Sequence, residues 1–155
     1  MGEQKVEHIV FEKKSVVEVI VLAIITLGIY VPVWFLNRIE RFNELESEHK
    51  FTINPFGFAI ASLVAYIGIV CYVIFSGLNP ESGEGLKYIG IGEYIVFVAS
   101  LVMMFECLKA RRAFLDHFAK KNYEVSFSWF WTAMFGMIYL QYRINEFSPE
   151  EEKLL

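Results

Sequence analysis

The chain of 155 residues lacks charge where a soluble protein would carry it: from Phe51 to Pro80 there is no Asp, Glu, Lys or Arg. A helix needs about 20 apolar residues to cross roughly 30 Å of hydrocarbon, so this absence argues for a membrane span. Basic residues are too few for nucleic acid. Lys and Arg number 14 against 18 Asp and Glu, the net charge is −4, and no basic stripe is available for phosphates. The N-terminus has no cationic run of the kind that opens a signal peptide. Val6 stands where a myristoylation signal wants Ser or Thr, which speaks against lipidation of Gly2. Cysteine is limited to Cys71 and Cys107. Antiparallel segments would set these at opposite membrane faces, out of disulfide reach, and both read as small apolar core residues.

Patterns that carry chemistry are missing as well. His8, His49 and His117 lie in three separate polar stretches with no pair at ligand spacing. No HExxH, GxSxG or Walker pattern occurs. The expectation is therefore no catalytic, cofactor-binding or metal-binding residue, and no enzyme. Gln and Thr are sparse beside plentiful Glu, Lys, Ile and Val, a hint of a thermophilic prokaryote. In such a chain the acidic dileucine string Glu150 to Leu155 carries no weight.

What is present is 55% hydrophobic, with a mean hydropathy of +0.43. The pattern predicts an all-α integral membrane protein with four hydrophobic segments. A polar lead (1–14) precedes a single helical membrane domain (15–146) and an acidic tail (147–155). Segment one, Ser15 to Leu36, opens on Ser15-Val16-Val17-Glu18, a capping-box pattern that gives Glu18 a structural task. Gly28 and Pro32, four apart in an apolar helix, mark a break or bend. Trp34, Phe35, Leu36, Ile39, Phe42 and Leu45 then predict an apolar stripe on an amphipathic helix over about 33–48. It would lie at the membrane interface with Trp34 at headgroup depth, or pack on the rest of the protein.

Asn54-Pro55 reads as N-cap and first residue of segment two, 55–76. There Gly57, Ala61 and Ala65 form a small-residue stripe for close helix packing, within the chain in preference to a dimer face. After a turn-rich loop (77–87), segment three runs from Tyr88 to Leu108. It continues as a polar helix to Lys121, with Asn122 as its stop. Segment four, Phe127 to Tyr142, is short for a span.

With four spans, basic residues divide almost evenly between the two sides and set no orientation. In a second parse segments one and four are hairpins, bent near Gly28–Pro32 and near Gly136, that enter and leave by one face. Every basic residue except Lys87 then lies on the cytoplasmic side, with both termini. The intramembrane acids Glu93 and Glu106 are 13 residues apart, about 220° round a helix, and so do not form one site. Gln141 and Asn145 share a helical face and are expected to satisfy backbone groups freed by the bend of segment one.

Residues Thr26, Leu27, Gly28, Ile29, Tyr30, Trp34, Asn43 and Glu44 resemble the signature of a prokaryotic membrane family catalogued as domain of unknown function 4234. Tyr139-Leu140-Gln141-Tyr142-Arg143-Ile144-Asn145-Glu146 resembles its closing motif. The resemblance covers roughly 16–146 and implies a small multi-pass membrane protein with no assigned activity. Many relatives carry a cysteine-rich ribbon ahead of segment one. This chain has no Cys there, and Pro32 departs from the usual small residue in a way expected to sharpen the bend. The motifs also faintly resemble each other, Phe35-Leu36-Asn37-Arg38-Ile39 beside Tyr139-Leu140-Gln141-Tyr142-Arg143-Ile144; an internal duplication would leave such a likeness, and the match is too short to prefer that over chance. The functional expectation is a structural, membrane-shaping or partner-binding subunit in the lipid bilayer, assembling with itself or a membrane-protein partner. The alternative is a small oligomeric transporter or channel subunit using Glu93 and Glu106.

Overall fold

The computed structural model describes residues 11–78 and 82–147. The start of the lead with His8, the centre of the 77–87 loop, and the tail from Ser148 lie outside them. The described residues form six helices and no strand: α1 Val16–Ile25, α2 Tyr30–Leu36, α3 Ile39–Glu44, α4 Asn54–Phe75, α5 Gly83–Lys120 and α6 Trp129–Phe147.

α4 and α5 are the spine. Both are long and apolar enough to cross a membrane, with mean hydropathies of 2.5 and 1.9 over their most apolar windows. α5 has 38 residues, about 57 Å of helix. It starts five residues earlier than the hydropathy suggests, because Ser82 caps it by accepting the Gly85 amide at 3.1 Å. It ends as expected at Asn122, whose left-handed φ of 59° lets Tyr123 donate back to the Phe118 carbonyl at 3.0 Å.

The small residues that bring the spine together are on α5. Gly85, Gly92 and Ala99 recur every seven residues and are buried; a Cβ on Gly92 would stand 2.7 Å from the Tyr66 ring. The stripe expected on α4 does not serve this purpose. Gly57, Ala61 and Ala65 are exposed, while Phe56, Ala59 and Ser62 face inward. The two faces lie on roughly opposite sides of the helix, and from the inward one Phe56 stacks on Phe35.

Segment one is α1 and α2 joined by a tight reversal. Leu27 (φ 51°) and Gly28 (φ 89°) are left-handed, and Gly28 N–H donates to Ala23 O while Leu27 N–H donates to Ile24 O. This is a Schellman ending with leucine, not glycine, at its left-handed position. Thr26 stitches the reversal, donating to Leu22 O at 2.8 Å and accepting from the Tyr30 amide at 2.9 Å. Pro32 does not make the bend. It sits buried in the first turn of α2, where its missing N–H is not needed. Ser15 precedes α1 but makes no side-chain cap, and Glu18 is exposed, so the capping box is not formed.

The amphipathic helix expected over 33–48 is divided at Asn37–Arg38 into α2 and the short α3. Its stripe goes into the core. Trp34, Phe35 and Phe42 are fully buried, so Trp34 is not at an interface. Around them Phe35 stacks on Phe56 (5.1 Å), Phe42 meets Phe51 (5.0 Å), and Phe114 stacks on Phe127 (5.4 Å). Phe11 of the lead closes this cluster over Phe42 and Phe114.

Candidate functional site

The candidate site is where segments one and four meet, and it is built on a single amide. Gln141 is fully buried, and all four of its hydrogen-bonding positions are used. Its Oε1 accepts from Trp34 Nε1 at 2.8 Å and from Arg38 Nη2 at 3.4 Å. Its Nε2 donates to Asn145 Oδ1 at 2.8 Å and to the Glu12 carbonyl at 3.4 Å. Asn145 in turn donates to the Lys14 carbonyl at 2.8 Å. Gln141 and Asn145 therefore satisfy backbone groups of the lead, 12–14, and not those at the bend of segment one, which Thr26 already serves.

Arg38 is buried beside this amide, its guanidinium 4.5 Å from the Trp34 ring and 3.7 Å from the Glu12 carboxylate. Burial pushes its pKa down, and Glu12 partly offsets this. Its long contacts reach Trp34 O (3.3 Å) and Glu12 O (3.5 Å). The second contact is informative, because Glu12 lies just before segment one and Arg38 just after it. Segment four repeats the arrangement. Arg143 donates to Ser126 O at 2.8 Å and lies 5.1 Å from the Phe127 ring. Tyr139 Oη accepts the Ser128 amide at 3.1 Å.

A straight helix would put Ser126 and Arg143 about 25 Å apart. They meet because α6 folds back at Gly136 (φ 46°, ψ −119°), a conformation open to glycine. The Met137 amide freed at this fold hydrogen-bonds the sulfur of buried Cys107, and a Cβ on Gly136 would come within 3.2 Å of that sulfur. Each segment thus starts and finishes at one end of the molecule. The two arginines aligned by the motif similarity each hold their own segment's ends together.

The surroundings are fastened by polar contacts to the extension of α5. Asn43 clamps Phe51, accepting its amide at 2.6 Å and donating to its carbonyl at 3.0 Å. Ser47 donates to Asp116 at 2.8 Å, and His49 Nε2 lies 3.8 Å from the same carboxylate. His117 Nδ1 accepts the Glu46 amide at 3.2 Å, which requires a neutral ring. Burial first and Lys121 second lower its pKa. Arg111 binds the Phe127 carbonyl at 2.8 Å.

The remaining predicted residues fall outside this node. Glu93 is exposed on α5, and Glu106 pairs with Lys109 at 3.1 Å, so the fold does not bring the two acids together. Cys71 is exposed on α4, contrary to its reading as a core residue, whereas Cys107 is buried. Among the described residues no cluster of His, Cys, Asp and Glu could hold a metal ion.

The residues that resembled a family signature are the ones this geometry uses: Thr26 and Gly28 at the bend, Trp34, Gln141 and Asn145 in the node, Asn43 in the clamp. The family model of the domain of unknown function 4234 matches residues 14–147. The chain belongs to this family. No curated protein and no solved structure matches it. For this member of domain of unknown function 4234, the motif residues act on the fold first. Arg38, Arg111, Arg143 and Thr26 were not singled out from the sequence for these tasks. Arg38 and Arg143 could have been found by following the similarity between the two motifs to its matched basic residue.

Proposed function

We propose that this chain is a non-enzymatic, multi-pass protein of the cell membrane that shapes the bilayer and offers a platform to a partner. In this reading α4 and α5 cross, while α1–α2 and α6 are re-entrant hairpins. Both termini and the basic loops lie on the cytoplasmic face. The membrane placement is supported by an inversion of ordinary burial. In each of the two most apolar windows only 17% of residues are buried inside the protein, and Phe75, at 86% exposure, has no protein neighbour to cover it. Water would oppose such a surface.

The observation that carries the shaping function is the unequal thickness of the two halves. From Arg111 to Ser100 the α4–α5 pair is flanked by the hairpins, α6 packing on α5 and α2 on α4. That is eleven residues, about 16 Å, or half of a roughly 30 Å hydrocarbon layer. Beyond their bends α4 and α5 continue as a pair. An inclusion broad in one leaflet and narrow in the other favours curved bilayer. Re-entrant backbone is tolerated in hydrocarbon only where its polar groups are satisfied. The Thr26 stitches and the Cys107 contact supply that condition. The open face of α4 with Gly57, Ala61 and Ala65 is where a second copy or a membrane-protein partner would pack.

Reconstitution at high density into liposomes tests the proposal. Tubulation, or enrichment in vesicles of small radius, is expected. Unchanged vesicle shape together with even partitioning across radii would overturn it. A transport path through Glu93 and Glu106 has less support, since one acid faces outward and the other is ion-paired.

A further inference from the structure

The bends of the two hairpins face a common space. Between them and the middle of α4 and α5 lies a cavity of about 340 Å³, with Gly28 on one wall and Gly136 on another. That volume is within the range of about 300–1,000 Å³ that holds small ligands. Along α5 its lining runs from Val96 to Cys107, about 16 Å, so the space is a slot.

Its chemistry selects the occupant. The lining's one hydroxyl, on Ser100, already donates to the Val96 carbonyl at 2.9 Å, and the Cys107 sulfur is engaged by Met137. A water needs two to four polar partners, so water is a poor filler. Left empty, the lining forfeits dispersion contacts. Four of the five methionines, Met103, Met104, Met134 and Met137, surround the slot. Unbranched thioether side chains repack readily round an irregular apolar guest. Met134 is 64% exposed and Phe135 48%, so the opening is continuous with the outward apolar surface. Whatever enters comes from that side.

We propose that the slot holds one acyl chain of a bilayer phospholipid, threaded between the two hairpin bends. This rests on the membrane placement argued above. The chain fills the space below the wedge and holds the bends apart, so the broad half keeps its width.

The test uses the full chain in vesicles of phosphatidylglycerol and phosphatidylethanolamine, doped with a phosphatidylcholine that carries a diazirine at mid-chain. After photolysis, adducts are mapped by mass spectrometry. Adducts on the buried Met103 and Met137 are expected to saturate as the probe fraction rises, while those on the outward-facing Phe97 and Phe105 rise in proportion. Ala133→Phe and Ala23→Phe, which fill the slot from different walls, should each cut the Met103 adduct at least fivefold and leave Phe97 unchanged. Saturation is read on the native chain and stands even if a filled variant misfolds. Adducts on Met103 and Met137 that are absent, that fail to saturate, or that persist in both filled variants overturn the acyl-chain site while the membrane placement stands. Absence of adducts from all of α4 and α5 overturns that placement and this site with it.

Discussion

The two halves of this molecule are held together by different means. The half around Gln141 resembles a small globular core, in which packed phenylalanines surround one fully bonded amide. The half formed by α4 beyond Leu63 and α5 before Val98 is a bare helix pair in which Val73, Gly85 and Gly92 are the buried residues. Apolar side chains fill the first half and coat the outside of the second. In the proposed membrane placement the same residue types point in opposite directions because the solvent differs: a protein interior must be packed, whereas hydrocarbon surroundings would pack an exposed Phe or Ile by themselves.

Substitutions can break this contrast. The largest effect is expected from Trp34→Ala, which empties a fully buried site and frees Gln141 and Arg38. A loss of about 3–5 kcal/mol should appear in thermal unfolding of the detergent-solubilised protein. Phe75→Ala, at the opposite extreme of exposure, should change stability by less than about 0.5 kcal/mol; comparable losses at both positions would erase the distinction. Next is Gln141→Leu, which keeps volume but strands the Trp34 indole, Arg38 and Asn145. It should cost about 2–3 kcal/mol, and a stable variant would show that the node is not the fastening point of the hairpins.

Gly92→Ala then probes the sparse half. Its methyl would collide with the Tyr66 ring, separating α4 from α5 at an expected cost of about 1–3 kcal/mol. Distances between spin labels on the two helices would report the separation. The smallest effect concerns pH. His117 has its pKa lowered in the folded chain by burial and Lys121, so the folded state holds fewer protons than the unfolded one. The stability it contributes is complete above pH about 6.5 and falls as pH drops below that value. The protection of the Glu46 amide against hydrogen exchange, taken relative to its intrinsic rate at each pH, should fall on acidification, and His117→Gln should abolish that dependence.

Much of this was legible along the chain. The charge-free stretch and the aliphatic run of segment three mark α4 and α5, and Asn122 marks the end of α5, because length, hydropathy and left-handed termini are local properties. Gly28 and Gly136 mark the bends for the same reason. The family motifs were legible as motifs, but their use was not. Trp34 in an amphipathic pattern reads as an interfacial anchor, and only the approach of Gln141, 107 residues away, makes it a buried donor. Gly57, Ala61 and Ala65 read as a packing stripe, yet the heptad-spaced Gly85, Gly92 and Ala99 of α5 took that role.

The sequence by itself determined which segments are apolar, where the backbone can reverse, and which residues could bond. Tertiary structure decided which bonds are made and which faces are covered. Hydropathy and backbone freedom are summed over neighbours in the chain, whereas a buried amide with four partners exists only when elements distant in sequence arrive together.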